Sequence, residues 1–153
     1  MTEEEKAKKS KKDKEVIWPE LPSHICQCVG RRKEASARVR IYKVSKKYKK
    51  SLINGIDAEK YFSLKKNYEC CVKPLVVTKL DDKYFFTALV KGGGTTGQAG
   101  AISLGLARCL VKVNPKLREI LAKENLLRRD PRMVERKKVY HLKARKSPQW
   151  HKR

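Results

Sequence analysis

The sequence has little acid, few aromatic residues and no long apolar stretch. No apolar run approaches the ~18–20 residues of a spanning helix, which argues against a membrane protein. Residues 1–15 hold six Lys and five acidic residues around no apolar centre, so they do not read as a secretory signal. They also lack the Arg-rich, acid-poor character of a transit peptide. The three histidines, His24, His141 and His151, are scattered and have no matched Cys or Ser setting. Asp130 and Glu135 sit inside an Arg-rich run, where ion pairing is the ordinary reading. No catalytic residue is expected. Five cysteines, Cys26, Cys28, Cys70, Cys71 and Cys109, form no regular disulfide framework and point to a reducing compartment.

Positive charge is what the chain has in excess. Its 153 residues include 39 Lys and Arg against 16 Asp and Glu, a formal net charge of +23. A small soluble domain usually carries roughly 2–8 charges of either sign. Self-repulsion at this level calls for a polyanion in the working state. The charge is uneven: residues 1–15 net +1, residues 128–153 carry eleven basic side chains against Asp130 and Glu135, and the middle holds the rest. Clusters stand at Arg31-Arg32-Lys33 and Lys46–Lys50. This predicts a disordered mixed-charge leader (1–24), a globular basic body (25–127) and an extended basic tail (128–153). A single basic run is as often a solvated surface as a binding site. A dense basic tail on a basic body favours nucleic acid.

Residues 35–44 alternate, with Ala35, Ala37, Val39 and Ile41 on one side and Ser36, Arg38 and Arg40 on the other. That is a strand with one buried face. Ile25 to Val29 is its expected partner, with Gly30-Arg31-Arg32-Lys33 as the turn. Leu52-Ile53-Asn54-Gly55 predicts a short strand and turn, and Asp57 a cap for a helix through Phe62. Residues 64–73 read as helical, stopping at Pro74. Leu75–Leu80 and Tyr84–Val90 read as a hairpin, with Tyr84, Phe86, Ala88 and Val90 on one face. After a glycine loop, Ala99, Ile102, Leu106, Cys109, Leu110 and Val113 form one apolar helical stripe. Pro115 opens a second helix, to about Glu124. From Arg128 onward no apolar periodicity survives.

Gly92-x-Gly94-x-x-Gly97 fits a dinucleotide fingerprint. The expected hairpin context, the absence of a following strand and the lack of an acid ~20 residues on argue against it. No Gly-Lys-Ser/Thr follows, which excludes a P-loop. Two readings remain: tight packing, or Lys91 and loop amides meeting RNA phosphates. A zinc site is a rival feature, if Cys26-x-Cys28 and Cys70-Cys71 meet, although their spacing is unlike a zinc ribbon. Small buried cysteines are the commoner outcome, and Cys109 on the apolar stripe is one.

The stretch Val90-Lys91-Gly92-Gly93-Gly94-Thr95-Thr96-Gly97-Gln98-Ala99-Gly100-Ala101-Ile102 resembles the universal ninth protein of the small ribosomal subunit, in its bacterial and organellar form. So do Asp130-Pro131-Arg132-Met133-Val134-Glu135-Arg136-Lys137-Lys138 and the chain end, Ala144 to Arg153. Gly30-Arg31-Arg32-Lys33 and Asn54-Gly55-x-Asp57 are similar too. The resemblance covers about residues 28–153. It implies an α+β fold: a small mixed sheet with packed helices, a βαβ crossover of the left-handed kind, and a long basic C-terminal tail. It implies a structural constituent of the small subunit head, bound to ribosomal RNA and neighbouring ribosomal proteins, in a bacterium, plastid or mitochondrion. The tail would reach the peptidyl-site transfer RNA, with Lys152 and Arg153 in contact.

The candidate RNA-binding residues are Arg31, Arg32, Lys33, Lys91, Gly92, Gly93, Gly94, Gln98, Arg128, Arg129, Arg132, Arg136, Lys137, Lys138, Lys143, Arg145 and Lys146. No cofactor and no membrane partner are expected. A free-standing RNA binder and a zinc-stabilised RNA-binding module are the alternatives. The chain departs from the family pattern in several places. Trp150 and His151 stand where Phe and Ser are usual, Ser103 where a basic residue is common, and Glu34 where a small hydroxyl residue is usual. The Lys46–Lys50 run replaces a shorter glycine-containing turn.

Overall fold

The predicted alternation folds as a strand in the computed structural model, which describes residues 21–45 and 50–151. This is β2, Ala35–Lys43, with Ala35, Ala37, Val39 and Ile41 each no more than 1% exposed. Ser36, Arg38 and Arg40 face outward. β1 is Cys26–Arg32 and pairs antiparallel with β2, Cys26 opposite Ile41 and Arg32 opposite Ala35. Gly30, Arg31 and Arg32 therefore belong to the strand, not to the turn. The turn is Lys33 and Glu34 alone, with Lys33 in the left-handed region at φ 51°.

Asn54 and Gly55 turn the chain at φ 50° and 83° between β3, Leu52–Ile53, and β4, Ile56–Asp57. Both angles suit an Asn-Gly hairpin turn. Asp57 precedes the short helix α1, Ala58–Tyr61, but makes no capping hydrogen bond. Its carboxylate faces Lys50 Nζ at 3.7 Å instead.

The largest departure lies over residues 64–80. The helix α2, Lys65–Thr78, runs straight through Pro74, and no strand forms at Leu75–Leu80. The apolar spacing explains this: Tyr68, Cys71, Val72 and Leu75 recur at three and four and pack on the core. Burial of Cys71, Pro74 and Leu75 outweighs the hydrogen bond that proline forfeits. Thr78 Oγ1 donates to the Pro74 carbonyl at 2.8 Å, and Lys79 closes the helix in a left-handed conformation.

β5, Tyr84–Lys91, is the middle strand of the sheet. It pairs antiparallel with β2 and parallel with β3, in the order β1-β2-β5-β3-β4. The strand before the glycine loop thus ends a parallel βαβ unit, with α1 and α2 as the crossover. The hairpin objection to a dinucleotide site falls. The other two objections stand: among the described residues no strand follows the next helix, and no acid stands ~20 residues on at a strand end. Both faces of β5 are covered. Phe86, Ala88 and Val90 join the core, while Phe85 stacks on Tyr42 at 5.1 Å on the far side.

That next helix, α3, spans Thr95–Val113 and lies across β1 and β2 with α2 beside it. Covered on two sides, it buries the predicted stripe as far as Leu110, with Val113 partly covered, and also Ala101, Ser103, Leu104 and Ala107. A 3-10 turn at Pro115–Leu117 and the helix α4, Arg118–Lys123, complete the body and insert Leu121. The fold is α+β, as expected. No helix among the described residues is long and apolar enough to cross a membrane. The leader, apart from residues 21–24, and Lys46 to Lys49 lie outside the described residues.

Candidate nucleic-acid interface

Three separate stretches of sequence converge at one end of the sheet. Gly92 and Gly93 hold φ of 71° and 63°, and each presses on the β1–β2 turn. A Cβ at Gly92 would stand 2.9 Å from the Glu34 carbonyl oxygen, and one at Gly93 would stand 2.9 Å from Ala35 N. These two glycines are thus required by packing and backbone angle together. Among the described residues nothing lies within 4 Å of the missing Cβ of Gly94, so the loop is open to them on that side. Arg31 and Lys33 are exposed at this end of the sheet, where Arg31 pairs with Ser36 and Ser36 in turn pairs with Lys91.

The loop is braced from behind. Gln98 donates to the Gly92 carbonyl at 3.2 Å and accepts from Tyr61 Oη at 2.9 Å. Its amide is occupied within the protein, which makes Gln98 a support for the loop. Asn54 clasps Val90 at both ends: Val90 N donates to Oδ1 at 2.8 Å and Nδ2 donates to the carbonyl at 3.1 Å. The sequence marked Asn54 only as a turn residue. Its partner 36 positions away leaves no local trace.

Gly94 caps α3 without a side-chain hydrogen bond, and the first turn holds no acidic residue. The first amides of a nineteen-residue helix therefore face the open side of the loop with their dipole uncompensated. Such an end favours an anion.

Arg32 has a different task from its neighbours. Its stem lies on Gly100 of α3, where any Cβ would collide with the arginine Cδ. Its Nη2 reaches Asp130 at 3.6 Å, and its Nε is buried with no hydrogen-bond partner among the described residues. Asp130 also accepts from Arg132, through the backbone N at 3.1 Å and Nη2 at 2.8 Å. Two guanidinium groups and a backbone amide hold this carboxyl well below the usual carboxylate range, Arg132 contributing most. The start of the tail is thereby tied to β1. Arg31, Arg32, Arg128 and Asp130 line a cavity of about 180 Å³ there, with Ser103 on its wall.

Beyond this tie, residues 128–151 contain no helix or strand. Arg128, Arg129, Arg132, Arg136, Lys137, Lys138, Lys143, Arg145 and Lys146 are all exposed. Arg145 Nε meets Glu135 at 2.8 Å and Lys138 Nζ lies 3.6 Å from the same carboxylate, so the tail doubles back locally. Apolar side chains are bare as well: Val134 is 92% exposed, Tyr140 90% and Trp150 85%. Lys152 and Arg153 lie outside the described residues.

The cysteines do not meet as expected. Cys70 and Cys71 sit on α2, away from Cys26 and Cys28, which approach Cys109 on α3. A four-thiolate site from Cys26, Cys28, Cys70 and Cys71 is not formed.

The family model described as ribosomal protein S9/S16 matches residues 30–153. The chain is also 47% identical over 127 residues to the small ribosomal subunit protein uS9 of Mycobacterium ulcerans (strain Agy99), covering 83% of this chain and 82% of that protein. The match takes in the basic turn, the glycine loop and the tail alike. The chain belongs to the ribosomal protein S9/S16 family, structural and non-enzymatic proteins of the ribosome.

Proposed function

We propose that the chain is a structural constituent of the small subunit, placed in its head on ribosomal RNA, with the tail running to the peptidyl-site transfer RNA. The single observation that carries this is the convergence of Lys33, Lys91, the uncapped end of α3 and the origin of the tail. An exposed helix end and mobile Lys charges suit backbone phosphates, which fits a protein positioned by RNA shape and not by base edges. The name of the mycobacterial relative supports the small-subunit assignment. Family membership favours RNA, neighbouring head proteins and a bacterial or organellar particle as the surroundings.

The tail supplies the electrostatic term. It carries eleven basic residues, and each neutralised phosphate of a single strand contributes a salt slope of about −0.7. If ~8 of them meet phosphates, binding falls by roughly five to six decades per decade of salt. Arg145 and Arg153 offer planar forks, and Lys137, Lys138, Lys146 and Lys152 offer mobile charge. The test is truncation after Ser147. The shortened protein is expected to fold and to enter the subunit, while transfer-RNA retention at the peptidyl site weakens. Unchanged retention removes the assignment of the tail. Co-sedimentation with small subunits at moderate salt separates the ribosomal reading from a free-standing RNA binder.

A further inference from the structure

Cys26 and Cys28 are two residues apart on β1 and so point to the same face of the sheet. That face carries α3. The helix comes unusually close because Gly30 and Gly105 meet: a Cβ on Gly30 would strike the Ala101 carbonyl and lie 2.5 Å from Gly105 N. Cys28 is the next residue of β1 on that face, and Cys109 is one helical turn beyond Gly105. The same contact that joins strand to helix therefore gathers three thiols. Their Sγ atoms lie within 4.8 Å of one another. Cys28 and Cys109 are buried and Cys26 is half-buried.

We propose that Cys26, Cys28 and Cys109 form a three-thiolate zinc site, with solvent as fourth ligand on the Cys26 side. Geometry, charge and position support this independently of the RNA reading. Tetrahedral Zn–S bonds of ~2.3 Å place sulfur atoms about 3.8 Å apart. From separations within 4.8 Å, reaching that spacing calls for shifts of about 1 Å or less. Three thiolates and Zn²⁺ leave a net charge of −1, and Lys112, whose charge acts on Cys26, offsets it. Three protein ligands with one open position also match the coordination that zinc accepts in proteins.

Without metal the Cys26 and Cys109 thiols stay protonated. Burial, then the neighbouring sulfurs, push Cys109 far above the ordinary thiol range, and burial likewise raises Cys26. The Cys109 thiol then sits 3.6 Å from the Val39 carbonyl as a weak donor. Metal entry must expel these protons, so affinity rises with pH.

The experiment uses the full reduced chain, titrated with Co²⁺ as a spectroscopic stand-in and then with Zn²⁺. One Co²⁺ per chain is expected, with thiolate-to-metal charge-transfer absorption and the intense visible bands of tetrahedral cobalt, all displaced by one Zn²⁺. Cys26→Ser, at the half-buried position, is expected to weaken binding by more than ~100-fold, beyond what loss of an outer partner costs. Cys70→Ser, outside the cluster, leaves the titration unchanged. A wild-type titration with no thiolate charge transfer overturns the proposal, and it needs no variant to fold. Equal affinity in Cys26→Ser, or an equal loss in Cys70→Ser, overturns it as well.

Discussion

In the body a continuous apolar core is closed off while basic side chains stay outside; in the tail apolar and basic side chains stand outside together. Leu106 and Leu110 are fully buried on α3, whereas Val134, Tyr140 and Trp150 are almost fully exposed. The arginines differ in the same way. Arg32 lies against Gly100, half covered and tied to Asp130, while Arg145 meets Glu135 with most of its side chain in water. The body encloses a surface of its own. The tail presents one to something else, because its apolar groups gain nothing until a second surface covers them.

The sharpest way to break this contrast is to remove apolar atoms from each region. Leu110→Ala is expected to cost 2–5 kcal/mol of stability, the usual range for a fully buried leucine. Val134→Ala is expected to change stability by less than about 0.5 kcal/mol. Denaturant titration of the isolated chain measures both. A large loss from Val134→Ala would mean that the tail contributes to the body's fold.

The same contrast explains what the sequence disclosed. β2 buries one face and α3 carries a continuous stripe at steps of three and four, so local periodicity records both, although α3 is covered on two sides. Residues 75–80 misled because Val76, Val77 and Thr78 are good strand formers, and Pro74 is an ordinary helix stop. Only the packing of Cys71 and Leu75 on the core keeps the helix going, and that contact is not local. Arg31, Lys33 and the glycine loop were legible as candidates. The press of Gly92 on the Glu34 carbonyl was not, nor was Cys109 as the neighbour of Cys26 and Cys28.

Charge removal sharpens the comparison next. Replacing Lys137 and Lys138 together by Gln is expected to lower the salt slope of RNA binding by about 1.4, two contacts at ~0.7 each. Thermal stability of the free chain stays the same, since both side chains are exposed. The matching change in the body, Lys91→Gln, lowers the slope by about 0.7. RNA binding over a salt series is the measurement. Slopes that do not move would show that these residues are solvated and not in contact.

Asp130 is where the two regions join, and its replacement is expected to change motion more than stability. Asp130→Asn keeps the side-chain shape but removes the charge that faces Arg32 and Arg132. The body stays folded, because the Arg32 stem still rests on Gly100. The tail loses its fixed point of departure, so amide relaxation near residue 130 should show added motion. Acid acts on the same tie, with a sign set by the depressed carboxyl. Whatever the charged pair contributes is present above ~3.9, the ordinary aspartate value, and is lost only as pH falls through the lower folded value. The tie is therefore expected to persist at pH 4, where ordinary carboxylates are half neutral. A carboxyl resonance of Asp130 that titrates near the ordinary value would show that the two arginines do not hold it, and that the tail leaves the body unguided.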